Sequence, residues 1–118
     1  MAAKDVLGRR GEDLAAEHLA ASGLTIVERN WRCSQGEIDI VALDNGELVF
    51  VEVKTRSTVA FGHPLESITA VKLARLRRLA AAWCSEHPGR HDRIRLDAVA
   101  VVAPPGAAPQ IEHLKRVF

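Results

Sequence analysis

Apolar and polar residues alternate most regularly between positions 36 and 56, and the alternation predicts a β-hairpin. Two runs rich in β-branched residues, 37–43 and 47–55, lie on either side of Asn45-Gly46. This dipeptide strongly favours a two-residue turn between antiparallel strands. The pattern therefore predicts two paired strands whose register is counted outward from the turn.

That register predicts an unusual concentration of charge. Counting from the turn places Asp39 opposite Glu52 and Glu37 opposite Lys54, and all four side chains project from one face. Like charges directly opposite each other destabilise a ladder, and two partly buried carboxylates need a counter-charge. Lys54 supplies part of it, and a divalent cation would supply the rest, because hard cations bind carboxylate oxygens. The hairpin therefore suggests a metal site, provided that the register does not slip.

The remaining periodicities predict two helices and three further strands in the order α-β-β-β-α-β-β. A crossover helix between the second hairpin strand and the next strand predicts that these two strands are parallel. We therefore expect an α/β fold, a mixed sheet flanked by helices. The predicted segments are a helix at 5–21 closed by Gly23, a strand at 24–29, loops at 30–35 and 56–66, a helix at 67–86, a strand at 93–102 and an edge strand at 111–117.

Glu12 is out of place in the polarity pattern of the first helix. A helical wheel puts it beside Gly8, Ala15 and Leu19, on the side expected to face the sheet. A carboxylate there needs a partner. It is either a partly exposed residue favoured by the helix dipole or a member of the hairpin's acidic group, and the hairpin carboxylates favour the second interpretation.

Length, charge and cysteine content narrow the class of protein. The 118 residues suit one domain, 1–118, and the net charge of +1 indicates no global basic field. Cys33 and Cys84 lack the spacing of a zinc site or a disulfide framework, which suits a reducing cytoplasm. The first residues lack an apolar signal region, and no apolar run approaches the roughly 18 residues of a membrane span. We therefore expect a cytoplasmic protein without a membrane partner.

Two other charged features have competing interpretations. Asp97 lies among apolar residues of a predicted strand, where a structural pair with Arg95 or Arg56 is favoured over membership of the acidic group. The second helix exposes a basic face, which is either a solvated surface or a contact for phosphates. His63 lies in a loop that contains glycine and proline, and a single loop histidine is more often incidental than functional.

The pattern Asp39 followed by Glu52-Val53-Lys54 resembles the signature of the restriction-endonuclease-like nucleases, and the order of elements matches the αβββαβ core of that fold. More narrowly, the chain is similar to the YraN family of small bacterial proteins. The residues that carry this resemblance are Gly11-Glu12, Gly36-Glu37-Ile38-Asp39, Val49 to Arg56, Phe61-Gly62 with Pro64, and Arg95-Leu96-Asp97. Ile38 stands where the simplest form of the signature has proline. The archaeal Holliday-junction resolvases are similar in architecture, and their first-helix glutamate corresponds to Glu12.

The resemblance implies a metal-dependent endonuclease that acts on nucleic acid, with branched or junction-like DNA as the expected substrate. It implies that Asp39, Glu52 and Glu12, together with the Val53 carbonyl, hold Mg²⁺ or Mn²⁺, while Lys54 orients or deprotonates the attacking water. Glu37 would pair with Lys54 or approach the same metal, and His63 is a less certain substrate contact. The expected contacts to backbone phosphates are Arg56, Lys72, Arg75 and Arg78.

Three alternatives stay open at this stage. The fold also has members without catalysis, so a nucleic-acid-binding module that does not turn over substrate is the first. The second is a structural protein in which the charged residues of the hairpin form an ion-pair network, which the near-neutral net charge favours slightly. The third concerns assembly: nucleases of this fold often dimerise to hold both strands of a duplex, so a homodimer is an option.

Overall fold

A computed structural model describes residues 3–60, 62–89, 91 and 93–117. Phe61, one of the residues that carry the family resemblance, lies outside the described residues. The helices and strands follow the predicted order, and their bounds are α1 Ala3–Ala21, β1 Thr25–Cys33, β2 Gly36–Asp44, β3 Glu47–Arg56, α2 Ala70–Glu86, β4 Ile94–Val102 and β5 Gln110–Leu114, with a short 3-10 helix at Pro64–Ser67.

The strands form one five-stranded mixed sheet in the order β1-β2-β3-β4-β5. The pairing of β3 with β4 is parallel, as the crossover through α2 predicts, and the other three pairings are antiparallel. The helices α1 and α2 cover opposite faces of the sheet. The α/β fold class is confirmed, with the element order and flanking helices of a restriction-endonuclease-like core.

Each face of the sheet has its own apolar core because side chains alternate along the strands. Val49 and Val51 of β3 pack with α1, whereas Phe50 between them packs with α2. The predicted apolar stripe of α2 is buried at Leu76, Leu79, Ala80 and Trp83, and Leu73 is half-buried. The helix begins at Ala70, three residues later than predicted, because the Thr69 side chain caps it by accepting a hydrogen bond from the Lys72 N–H.

The predicted hairpin register is correct from the turn to the pair of Ile40 with Val51. Asn45 and Gly46 have φ values of 50° and 81°, the left-handed conformation that a tight hairpin turn requires of both central residues. The turn therefore sets which residues of β2 and β3 are neighbours.

The register prediction is wrong beyond that pair. The ladder between β2 and β3 ends there, so the expected pairs of Asp39 with Glu52 and of Glu37 with Lys54 do not form. The Asp39 carboxylate takes the place of a main-chain acceptor, because its Oδ2 accepts a hydrogen bond from the Val53 N–H at 2.8 Å. The two strands therefore separate at Asp39, and its side chain lies in the gap between them.

The predicted loop at 30–35 is also wrong over most of its length. The strand β1 continues to Cys33, and Trp31 lies opposite Ile38. Asn30 adopts a left-handed φ of 56°, which asparagine tolerates better than most residues, so the strand passes through a kink instead of ending. The extra strand length brings the arginines of β1 alongside the start of β2.

Candidate metal centre

Asp39 lies at the centre of a group of three carboxylates. One oxygen each from Glu12 of α1, Glu37 of β2 and Asp39 lie within 4.8 Å of one another. Glu12 reaches this position because α1 lies close to the sheet at Gly11, where a side chain would collide with Thr55. The prediction that Glu12 turns toward the hairpin acids thus agrees with its observed position, and its side chain is 14% exposed.

The prediction that all four hairpin charges project from one face is wrong, because Glu52 and Lys54 approach the region of Asp39 from the face that α2 covers. Val53 packs against the core beside α1, so its two neighbours in β3 point toward α2. Burial raises the pKa of Glu52, and the positive charges of Arg75 and Lys72 on α2 offset part of that increase. Glu52 has no oxygen in the 4.8 Å group, so the structure brings Glu37, predicted only as an accessory residue, closer to Asp39 and Glu12 than Glu52 is.

The negative charges nevertheless interact across the sheet. Burial, followed by the charge of Glu52, raises the pKa of the Asp39 carboxyl to about 7. The carboxylates of Glu12 and Glu37 add to this increase, while the hydrogen bond from the Val53 N–H offsets part of it. Among the described residues, no arginine or lysine forms an ion pair with Asp39.

The Lys54 amine lies near these carboxylates, but its surroundings disfavour its protonated form. Burial, together with the nearby charges of Lys72 and Arg56, lowers the pKa of its amine. The carboxylates of Glu52 and Asp39 act in the opposite direction and offset part of this decrease. The amine therefore loses a proton more readily than an ordinary lysine does. We call Glu12, Glu37, Asp39, Glu52 and Lys54 together the Asp39 cluster.

Two arginines of β1 hold the outer carboxylates of this cluster, and sequence reasoning missed both. Arg29 Nη2 lies 3.2 Å from Glu12 Oε1 and 2.7 Å from Asp13 Oδ1. Arg32 Nε lies 2.9 Å from Glu37 Oε2. The signal that could have revealed them is the alternation of β1 itself, which continues past Asn30.

Two open cavities adjoin the cluster. One, of about 570 Å³, is lined by Asp39, Lys54 and Arg56, and the other, of about 840 Å³, is lined by Arg29 and Arg32 among others. Gly8 and Glu12 line both cavities, so the two meet beneath the first turns of α1. The carboxylates are therefore reached from solvent on two sides.

Comparison with known sequences places the chain among proteins of the same length and organisation. The sequence profile of the uncharacterised protein family UPF0102 matches residues 11–101. The chain belongs to this family. It is 57% identical over 117 residues to a UPF0102 protein of Arthrobacter sp. (strain FB24), with 99% of each chain covered. It is 56% identical over 117 residues to a UPF0102 protein of Beutenbergia cavernae, again with 99% of each chain covered.

A relative from a third genus extends the match over the whole sequence. A UPF0102 protein of Frankia alni is 51% identical over 118 residues, which is 100% of this chain and 98% of the relative. The expected resemblance to the YraN family is confirmed, because UPF0102 is that family. The matched range contains every residue of the Asp39 cluster.

The other predicted site residues of this UPF0102 chain lie outside the cluster. Arg75 and Arg78 are exposed on α2, and Lys72 is half-buried on the same helix. His63 lines neither cavity. Its Nδ1 accepts a hydrogen bond from the Leu65 N–H and so caps the 3-10 helix, which is a structural use of the ring.

A second group of charges in this UPF0102 member surrounds Asp97, which is fully buried in β4. Arg95 donates two hydrogen bonds of 2.9 Å to the Asp97 carboxylate, and His113 Nε2 lies 2.6 Å from it. The predicted structural pair is thus observed, and its partner is Arg95, one of the two arginines considered. We call this group the Asp97 cluster, and its members are Asp44, Glu47, Arg95, Asp97, His113 and Arg116.

Within the described residues of this UPF0102 member, no helix combines the length and the apolar character that a bilayer-spanning segment needs.

Proposed function

We propose that this chain is a metal-dependent endonuclease that hydrolyses phosphodiester bonds, with branched or junction-like DNA as its substrate class. The observation that carries the proposal is the convergence of Glu12, Glu37 and Asp39 within 4.8 Å, next to the amine-bearing strand β3. The similarity to the archaeal Holliday-junction resolvases favours a branched substrate over a specific sequence.

The donor chemistry of the cluster fits Mg²⁺ or Mn²⁺. These hard cations take carboxylate and carbonyl oxygens, and no sulfur or imidazole belongs to the group. Burial and, after it, the charges of Glu52, Glu12 and Glu37 raise the pKa of Asp39, so a bound cation would favour its ionised form. Asp39, Glu12 and Glu37 would hold the ion, together with the Val53 carbonyl that the resemblance implies. Glu52, whose oxygens lie outside this group, would favour the ion through its negative charge. The ion would polarise a phosphoryl oxygen and lower the pKa of a bound water.

The protein's own groups have separable tasks in this proposal. The Val53 N–H fixes the Asp39 carboxylate between the strands, so its orientation is set before a substrate binds. Lys54 accepts a proton from the attacking water or donates to the scissile phosphate, and its lowered pKa suits the first task. Both tasks stabilise the charge that develops during phosphodiester cleavage.

The basic side chains around the cluster would position the nucleic acid. Arg56 lines the cavity next to Lys54, while Arg75, Arg78 and Lys72 project from α2. Contacts of arginine and lysine with phosphates orient a duplex without reading its sequence. Affinity for DNA should therefore fall steeply as salt concentration rises.

The direct test is cleavage of labelled four-way junction, flap, duplex and single-stranded DNA in Mn²⁺. The wild type should cut a branched substrate, and Asp39→Asn, Glu52→Ala and Lys54→Ala should each lower the rate at least about 100-fold. Glu17→Gln is the matched control, since Glu17 is an exposed carboxylate on the same helix as Glu12. Full activity in Glu52→Ala, or equal loss in Glu17→Gln, would contradict the proposal.

The runner-up function is a binding module of the same fold that holds nucleic acid without cutting it. The exposed arginines of α2 favour it, because they need no metal to contact phosphates. It predicts salt-dependent binding that is unaffected by Mg²⁺ and by Glu52→Ala, with no cleavage of any of the four substrates.

A further inference from the structure

The larger of the two cavities is rich in arginine, although acids surround it. Its volume is about 840 Å³, and Arg9, Arg29 and Arg32 line it together with Glu12 and Glu37. Guanidinium groups bind phosphate oxygens through two parallel hydrogen bonds, which makes a cavity with three arginines a candidate phosphate site. It lies on the opposite side of Glu12 from the cavity that contains Lys54 and Arg56.

Two of these arginines are already engaged by carboxylates of the candidate metal centre. Arg32 contacts Glu37 at 2.9 Å, while Arg29 contacts Glu12 at 3.2 Å and Asp13, outside the centre, at 2.7 Å. Glu12 and Glu37 are two of the three carboxylates that converge within 4.8 Å. A divalent cation and the two guanidinium groups therefore compete for the same carboxylates, and binding of the cation weakens the hold of Glu37 on Arg32 and of Glu12 on Arg29.

Replacement of the arginines by a cation at these carboxylates costs little free energy, because the arginine contacts are open to solvent. The Arg32 side chain is 77% exposed and the Arg29 side chain is 35% exposed. Exposed ion pairs contribute little net stability, since water screens them and the long side chains lose freedom when they are held. A guanidinium released from Glu37 can thus turn into the adjoining cavity at small cost.

We propose that the cavity lined by Arg9, Arg29 and Arg32 is a second phosphate-binding position for a nucleic-acid strand, and that a divalent cation opens it by displacing Arg32 from Glu37 and weakening the contact of Arg29 with Glu12. This inference rests on the proposed function, because it requires a cation at the Asp39 cluster. It adds a site on the far side of Glu12 and couples that site to the metal.

The coupling is reciprocal by thermodynamic linkage. If the cation frees the arginines for a phosphate, then a phosphate bound to the arginines frees the carboxylates for the cation. The metal and the nucleic acid should therefore each tighten the binding of the other. A centre of this kind binds its cation weakly until a strand occupies the arginine cavity.

The test uses Arg32→Gln, which removes the charge at an exposed position and should leave the fold unchanged. Mn²⁺ affinity is measured from the electron paramagnetic resonance signal of free Mn²⁺, without DNA. Binding of a fluorescent phosphorothioate oligonucleotide, which keeps the backbone charge, is measured by anisotropy with and without Mn²⁺. Arg10→Gln is the matched control, because Arg10 is exposed on α1 and lines neither cavity.

Without DNA, Arg32→Gln should bind Mn²⁺ about two- to fivefold more tightly than the wild type, because a competing cation is gone. Without Mn²⁺, its affinity for the oligonucleotide should equal that of the wild type. With Mn²⁺, the affinity should fall several-fold, and the slope of log affinity against log salt concentration should decrease by about one, which corresponds to one phosphate contact. Arg9→Gln should weaken binding of the oligonucleotide in Mn²⁺ without changing the affinity for Mn²⁺, since no ion pair joins Arg9 to the described carboxylates.

The outcomes separate this inference from the proposed function. If the wild type binds Mn²⁺ but Arg32→Gln binds it no more tightly, the inference fails and the proposed metal centre stands. If the wild type binds no Mn²⁺, both fail. Weaker binding of inorganic phosphate by Arg32→Gln, without weaker binding of the oligonucleotide, would contradict the assignment of the cavity to a nucleic-acid strand.

Discussion

The Asp39 cluster and the Asp97 cluster contain the same kinds of residues in opposite electrostatic states. Asp97 is the more deeply buried aspartate, yet contacts from His113, Arg95 and the Arg116 N–H outweigh burial and lower its pKa. Asp39 has one main-chain donor, and burial with three neighbouring carboxylates raises its pKa to about 7. The Asp97 cluster is internally satisfied, whereas the Asp39 cluster carries charge that its own residues do not balance.

We interpret this difference as that between a structural cluster and the proposed metal centre. Arg95 also reaches Asp44 at 2.9 Å, and Arg116 lies 2.9 Å from Glu47, so cations meet the carboxylates of the Asp97 cluster. Such a network needs no outside partner. An unbalanced cluster open to solvent persists when something else supplies the missing charge, and perturbed pKa values concentrate at functional sites for this reason.

The largest effect should come from breaking the satisfied cluster. Asp97→Asn removes the fully buried negative charge that Arg95 and His113 share, and should lower the free energy of unfolding by about 3 kcal/mol at pH 7, although Arg95 keeps its contact with Asp44. The pKa of Asp97 is lowered by folding, so its contribution is present above the unfolded pKa and is lost as pH falls through the folded one. Urea unfolding at pH 7 and at pH 3 measures both effects. If Asp97→Asn lowered the free energy of unfolding by as much at pH 3 as at pH 7, the pairing would be contradicted.

At Asp39 the same substitution by asparagine should raise the free energy of unfolding instead of lowering it. Its folded pKa is raised, so the protonated form stabilises the metal-free protein below about pH 4, and that contribution is lost as pH rises through about 7. Asp39→Asn removes the repulsion and keeps an oxygen for the Val53 N–H. It should therefore stabilise the metal-free protein at pH 8 by about 1 to 3 kcal/mol, and by much less at pH 5.

Urea unfolding in the presence of a chelator measures this gain. Glu17→Gln, which removes an exposed carboxylate from α1, should change stability little at either pH. Destabilisation by Asp39→Asn at pH 8 would show that the carboxylates are balanced in the folded protein, and the contrast between the two clusters would then disappear.

The smallest effect concerns the helix that covers the Asp39 cluster. Gly8 lies in the interior of α1, and a Cβ added there would meet nothing within 4 Å. Gly8→Ala should therefore raise the free energy of unfolding by about 0.5 to 1 kcal/mol through helix propensity alone. Gly11→Ala is the informative partner, because its Cβ would collide with Thr55 and should destabilise the protein. Thermal unfolding of the two variants compares them directly.

Much of this organisation could be predicted from the sequence, because it depends on local signals. Asn45-Gly46 determines the register of the hairpin from the turn to the pair of Ile40 with Val51. The position of Glu12 follows from helical periodicity together with the nearby hairpin carboxylates, and Asp97 was expected in a structural pair because a buried aspartate requires a cation nearby.

The remainder could not be predicted, because it depends on exceptions to periodicity. No pattern indicates that the Asp39 side chain would accept the Val53 N–H and end the ladder before the counted pairs of Asp39 with Glu52 and of Glu37 with Lys54. Asn30 looks like a loop residue, yet it turns the backbone within a continuing strand. This misreading hid Arg32 and its contact with Glu37, so the counter-ions of the centre emerged only from the structure.

The most direct test of the central claim is a calorimetric titration of the metal-free protein with Mn²⁺. The account predicts saturable binding in the wild type and in Glu17→Gln, and at least about tenfold weaker binding in Asp39→Asn, since loss of one charged ligand removes a main source of attraction for a hard cation. Absence of saturable binding in the wild type, or unchanged affinity in Asp39→Asn, would contradict the claim that the unbalanced carboxylates around Asp39 form a metal centre.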